Sequence, residues 1–213
     1  LIELRATLVQ LERDGKERSD HLESYVFVGN PGTGKTTVAR VMARVLHEVG
    51  ILSRPEVKAV SGLDLQGSYL GQTKDRVNEA MADARGGVLL IDEAYAIGGG
   101  HHYSKEAVDQ LVAVMTTPEH FHKTVVILAG YYEPMERMLS SNQGLRSRFT
   151  GRIEFPDWDA DDCVAAIRSK CEADGIALTD GAARVLTAGL REIQSRPGLS
   201  LIHISEPTRL GMI

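Results

Sequence analysis

The chain is poor in cysteine, with only Cys163 and Cys171 in 213 residues. Neither belongs to a CxxC pair, and no histidine stands at metal-ligand spacing from them. This excludes a disulfide scaffold and a zinc ribbon, and reads as a reduced intracellular thiol pair. An excess of positive charge is also missing: 24 Lys and Arg against 29 Asp and Glu leave a net charge of −5. A general nucleic-acid binder carries a basic footprint, so nucleic acid is not the expected partner, although local basic patches stay open. No run approaches about 18 apolar residues, so no membrane span is expected. Repeats, low-complexity segments, long linkers and a signal peptide are likewise not found. The first residue is Leu1 rather than Met. The expectation is that the start is missing and that the location is the cytoplasm, or an organelle stroma if a targeting segment lies upstream. What remains is ordinary for a globular protein, 43% hydrophobic and 25% charged, and long enough for one large domain or a core plus a small one.

Strand and helix patterns alternate. Leu1, Leu4, Leu8 and Leu11 fall at helical spacing over residues 1–14. YVFVG, Tyr25 to Gly29, is a short buried-strand pattern. Thr36 to Val49 reads as a helix with Val38, Val41, Met42, Val45 and Leu46 on one face. Further strands are expected at Val57–Val60, Val88–Asp92, Thr124–Gly130 and Arg152–Phe155. Helices are expected at Asp75–Arg85, at Ser104–Met115 with Ser104 as cap, and at Glu133–Leu139. After Pro156 the pattern becomes all-helical, Asp159–Ala173 and Thr179–Gln194. The fold class is therefore α/β, a parallel five-stranded sheet with helices on both faces, followed after Pro156 by the start of a small helical subdomain.

Gly29-Asn30-Pro31-Gly32-Thr33-Gly34-Lys35-Thr36 fits GxxxxGK[ST], between a strand and a helix. Its glycines let backbone N–H groups approach phosphate oxygens, and the following helix adds its positive end. Lys35 would place a charge on the β- and γ-phosphates, and Thr36 a hydroxyl on Mg²⁺, with Thr37 completing the binding set. VLLIDEA ends a buried strand in two carboxylates. Asp92 would hold Mg²⁺ through its water shell, and Glu93 would take the proton of the attacking water. Together the two motifs make this a sheet of P-loop NTPase type, with the nucleotide-binding domain expected at 1–156 and a partial helical lid at 157–198, and imply a nucleoside triphosphate with Mg²⁺ and its hydrolysis as the activity. GLRSRF sets Arg146 and Arg148 in a polar turn, where they could bind an acidic face of the same chain. In LQGSYLGQT, Tyr69 and Leu70 stand between glycines, either folding back on the core or gripping a polypeptide. His101 and His102 adjoin without further ligands and read as solvated residues rather than a metal site.

GNPGTGKTTVAR, LQGSYLGQT, GGVLLIDEAYAI, VVILAGYYEPM, NQGLRSRF and IEFPDW together resemble the AAA+ ATPases, and among them the CbxX/CfxQ family, over roughly residues 4–198. That family includes red-type rubisco activases, sporulation-associated ATPases and cytosolic ATPases of type VII secretion. The resemblance implies a homo-oligomeric ring, commonly a hexamer, that uses ATP to pull on or remodel a protein client. It implies Tyr69 as a pore-loop aromatic with Leu70 beside it, and a sheet whose phosphate-loop strand is central. It also implies an arginine serving the neighbour's phosphate, Arg148 first and Arg146 second. Two rival functions stay open: a nucleotide-dependent scaffold or switch, and a DNA-acting AAA+ protein. Tyr131 stands where many AAA+ proteins carry an Asn or Thr that positions water, and a sensor-two arginine would fall beyond the matching segment. The last residues, 199–213, contain LSLIHISEPTR, which resembles a translated sequencing adapter. The expectation is that the native sequence stops near Gly198; the alternative is a real strand, since SLIHI is apolar.

Overall fold

The structure, a computed structural model, describes residues 22–67, 71–98 and 102–195, with only the backbone of 102–104. Tyr69 and Leu70, the first helix, His101 and the tail from 199 lie outside the described residues. The described chain divides into two compact units, one of residues 22–29 and 34–155, the other of residues 30–33 and 156–195.

The first unit is built on five parallel strands: β1 (Tyr25–Gly29), β2 (Val57–Ser61), β3 (Val88–Asp92), β4 (Val125–Gly130) and β5 (Gly151–Phe155). Their order is β2-β3-β4-β1-β5. The middle strand is thus β4, and β1, which leads into the glycine-rich loop, lies inside the sheet between β4 and β5. All six residues of β4 are buried, as a strand covered on both faces requires, whereas Tyr25 and Gly29 of β1 are half-buried. The edge strand β5 instead alternates half-buried and exposed residues.

Successive strand residues point to opposite faces, so one sequence feeds two cores. Val26, Val28, Leu89, Ile91, Val126 and Leu128 pack on one side, beneath α2 (Gln72–Asp83), α3 (His102–Val114), α4 (Tyr132–Ser141) and α5 (Gln143–Arg148). Phe27, Val88, Leu90, Val125, Ile127 and Ala129 pack on the other, against α1 (Lys35–Glu48).

Several helix expectations are corrected. The residues that α1 buries are Lys35, Ala39, Ala43 and Leu46, while Val38 and Val41 are 37% and 46% exposed. The valine stripe is offset by about one residue from the alanine line, and the small side chains face the sheet. Helix α2 begins at Gln72 rather than Asp75, and its buried Thr73 hydroxyl accepts the Gly67 N–H at 3.0 Å. Helix α3 already runs from His102, so Ser104 lies within it and is not its cap. GLRSRF is helical rather than a turn: the Asn142 side chain accepts the Leu145 N–H at 3.1 Å, and Leu145 is fully buried. Between β3 and α3 a 3-10 turn, Ala94–Gly98, was not anticipated.

In the second unit, α6 (Ala160–Ala173) opens on a capping box in which Asp159 and Asp162 each satisfy the other's backbone N–H. Helix α7 (Asp180–Ser195) buries only Ala183, and Val185 is 73% exposed. Cys163 and Cys171 are free, and burial raises the Cys163 thiol. Among the described residues no helix is long and apolar enough to cross a membrane.

Leu128, fully buried in the middle strand, is a direct measure of this core. Leu128→Ala is expected to cost about 2–5 kcal/mol in denaturant unfolding, whereas Val41→Ala should stay within about 0.5 kcal/mol. Equal losses at the two positions would contradict the assignment of the α1 faces.

Candidate functional site

Because all five strands run the same way, their carboxyl ends share one edge of the sheet, where ligands of open α/β sheets bind. At this edge lie Gly29, Asp92 and Gly130, the last residues of β1, β3 and β4.

The glycine-rich loop leaves β1 at Gly29. An added Cβ there would lie 2.4 Å from the Phe155 carbonyl oxygen, so the first glycine serves the approach of β5. Phe27 and Phe155, whose ring centroids are 5.1 Å apart, pack just behind it. Gly32 and Gly34 have φ of +77° and +94°, the left-handed region that side chains disfavour. Gly34 caps α1 without a side-chain hydrogen bond, and no acidic residue occupies the first turn. An uncapped first turn suits an anion. Lys35 is 91% buried and folds back so that Nζ donates to the Gly29 carbonyl at 2.9 Å. Burial lowers its pKa, and the negative charge of Asp92 opposes that shift. Thr36 is half-buried and Thr37 exposed.

The loop apex, residues 30–33, belongs to the second unit. Thr33 Oγ1 donates to the Asn30 carbonyl at 2.8 Å, and Pro31 is half-buried. Asn30 Nδ2 donates to Asp157 Oδ1 at 2.8 Å, and Trp158 Nε1 donates to the Thr33 carbonyl at 3.2 Å. Sequence reasoning gave Asp157 and Trp158 no role. The available signal was a chain's single tryptophan set in a polar segment directly after a strand.

Asp92 and Glu93 are both exposed at the end of β3. The Glu93 backbone turns to φ +49°, one of two such non-glycine residues among those described. Asp92 Oδ1 accepts the Glu93 N–H at 2.9 Å. The Gly62 N–H donates to the Asp92 carbonyl at 2.7 Å. Glu93 Oε1 accepts from the Tyr95 hydroxyl at 3.2 Å. Tyr95 and Gly62 were both missed, because neither contact follows from a residue type at a motif spacing. Tyr131 precedes α4 as its N-cap and is 38% exposed.

Arg146 and Arg148 sit in the last turn of α5. Arg146 is exposed. Arg148 is half-buried, its Nη1 donating to the Gly144 carbonyl at 3.1 Å, and its buried Nε meets no hydrogen-bond partner among the described residues. Of the expected client contacts, Tyr69 and Leu70, nothing is described. Among the described residues no three His, Cys, Asp or Glu side chains gather as a metal-binding group.

Residues 25–157 match the family described as "ATPase family associated with various cellular activities (AAA)". The ESX-1 secretion system protein EccA1 of Mycobacterium tuberculosis is 38% identical over 176 residues, 80% of this chain and 30% of that protein. Stage V sporulation protein K of Bacillus subtilis is 43% identical over 135 residues, 62% of this chain and 41% of that protein. The Protein CfxQ homolog of Galdieria sulphuraria is 38% identical over 174 residues, 80% of this chain and 56% of that protein. The chain thus spans between 30% and 56% of the length of these relatives.

A Cβ on Gly62 would lie 2.6 Å from the Glu93 carbonyl oxygen and 3.2 Å from its carbon, both backbone atoms. Gly62→Ala is therefore expected to force the two turns apart and to cost about 1–3 kcal/mol in urea unfolding. Wild-type stability would show that the turns are not in the contact described.

Proposed function

The chain belongs to the AAA family of ATPases, and on that premise we propose that it is an ATP-driven motor that works as a homo-oligomeric ring, of hexameric type, on a protein client. The observation that carries this reading is the joint placement of Lys35, on its uncapped helix, and the Asp92–Glu93 pair at one edge of the sheet.

The residues fit a phosphate chain. Two glycines in left-handed backbone and a first turn without acid or side-chain cap favour negative charge. A buried lysine gains most from an anion that restores its lost solvation. Thr36 and Asp92 are the residues that would hold magnesium, which when bound neutralises charge on the phosphate oxygens. A magnesium ion shared with a nucleotide takes only one or two protein ligands, so no larger acidic cluster is needed. The roles left to the chain's own residues are then distinct. Lys35 and residues 29–37 bind and orient the phosphates. Glu93 accepts the proton of the attacking water. Arg148, or the exposed Arg146 beside it, stabilises charge in the neighbouring subunit's site.

Glu93 favours a motor over a passive nucleotide switch, since a binder needs no carboxylate held at a strained φ. Tyr69 and Leu70 are the proposed client contacts, because an aromatic and a leucine grip polypeptide without reading its sequence. The relatives' names attach them to a secretion system and to sporulation; for this chain the client is proposed only as a polypeptide, met in the cytoplasm or an organelle stroma.

Two mutations test the nucleotide reading. Lys35→Ala should abolish ATP binding in a calorimetric titration, and Glu93→Gln should bind ATP normally but hydrolyse it roughly 10²–10⁴-fold more slowly. Unchanged affinity in the first, or turnover within about twofold of wild type in the second, refutes the corresponding role.

A mixing experiment tests the shared site. Arg148→Ala subunits should be inactive alone yet regain turnover when mixed with Glu93→Gln subunits, because each lends the group the other lacks. No complementation, with Arg146→Ala complementing instead, would move the role to Arg146.

A further inference from the structure

Tyr95 follows Glu93 by two residues, in the 3-10 turn, and its hydroxyl donates to Glu93 Oε1 at 3.2 Å. Several features hold this contact in place. The Tyr95 ring is half-buried and tilted against that of Tyr131, with centroids 5.9 Å apart. It also lies over Gly130, where an added Cβ would come 2.9 Å from Tyr95 Cδ1. Tyr95 is thus wedged against the end of β4, the one strand buried throughout. The Glu93 backbone is constrained by its positive φ, by its N–H on Asp92 Oδ1 and by the Gly62 turn, where an added Cβ would come 2.6 Å from the Glu93 carbonyl oxygen. The phenol is pushed up to about 12, by burial first and then by the Glu93 charge.

We propose that Tyr95 is a positioning residue for water activation: its hydroxyl occupies Oε1 of Glu93 and leaves Oε2 to receive the proton of the attacking water. The proposal rests on the reading of Glu93 as the general base. A carboxylate on three rotatable side-chain bonds otherwise spends much of its time turned away from the water, and a base acts only within hydrogen-bond reach of the proton it removes. Tyr131, which follows β4, meets the Tyr95 ring, and the Tyr95 hydroxyl reaches Glu93.

Tyr95→Phe removes only the hydroxyl and keeps the ring on Gly130 and Tyr131. In the full chain, this variant is expected to melt with the wild type and to bind ATP within about twofold, while single-turnover hydrolysis falls about tenfold, the effect of losing one hydrogen bond to a charged group. In the Glu93→Gln background the same change should cost less than about twofold, because the hydroxyl acts only through that carboxylate. Wild-type turnover in Tyr95→Phe, early melting, weakened ATP binding, or a loss that multiplies onto that of Glu93→Gln would each overturn the proposal. The two readings separate cleanly: an inactive Glu93→Gln with an unaffected Tyr95→Phe removes the role of Tyr95 alone, whereas an active Glu93→Gln removes both.

Discussion

The site depends on β4 being buried at every position between β3 and β1. A strand with no solvated face has its register set by both of its neighbours at once, since a slip of one residue would exchange its two apolar sets. Leu90 and Tyr25 both pair with Ile127, and Ile91 and Val26 both pair with Leu128. The glycine-rich loop after β1 and the carboxylates at the end of β3 are thereby held at a fixed offset along the sheet, although the two strands never touch.

Above that ladder, the site is shaped by glycines acting where another backbone or ring arrives. Gly29 admits the end of β5, Gly62 admits the Glu93 carbonyl, and Gly130 admits the Tyr95 ring. Only Gly32 and Gly34, with their left-handed backbone, answer to the loop's own conformation. A single residue type therefore does two kinds of work within one site, close packing and chain reversal, and only the second belongs to the phosphate-binding pattern itself. The carboxylate end is held the same way: backbone and one hydroxyl constrain Glu93 while its carboxylate stays exposed to solvent.

Electrostatics follow from this layout. Burial costs Lys35 part of its affinity for a proton, and Asp92 returns some of it. The helix start beneath the loop carries no acid. Lys35 and an acid-free helix start thus stand apart from the carboxylates at the end of β3, an arrangement suited to an anion on one side and a water molecule on the other.

Much of this was legible in the order of residues. Periodicity of apolar residues reports burial directly, so the five strands and most helices could be read from it, and GxxxxGKT and the Asp92–Glu93 pair mark their chemistry because those roles need fixed residue types at fixed spacing. What the sequence could not determine were contacts between residues distant in the chain or dependent on small side chains. The valines of α1 looked like its inner face, but the inner face is set by which side chains fit the sheet, and the alanines do. The place of β1 between β4 and β5 is a matter of strand order, which no local pattern encodes. The hold of Tyr95 on Glu93 required the end of β4 to arrive beside the turn after β3, and only the packed sheet brings them together.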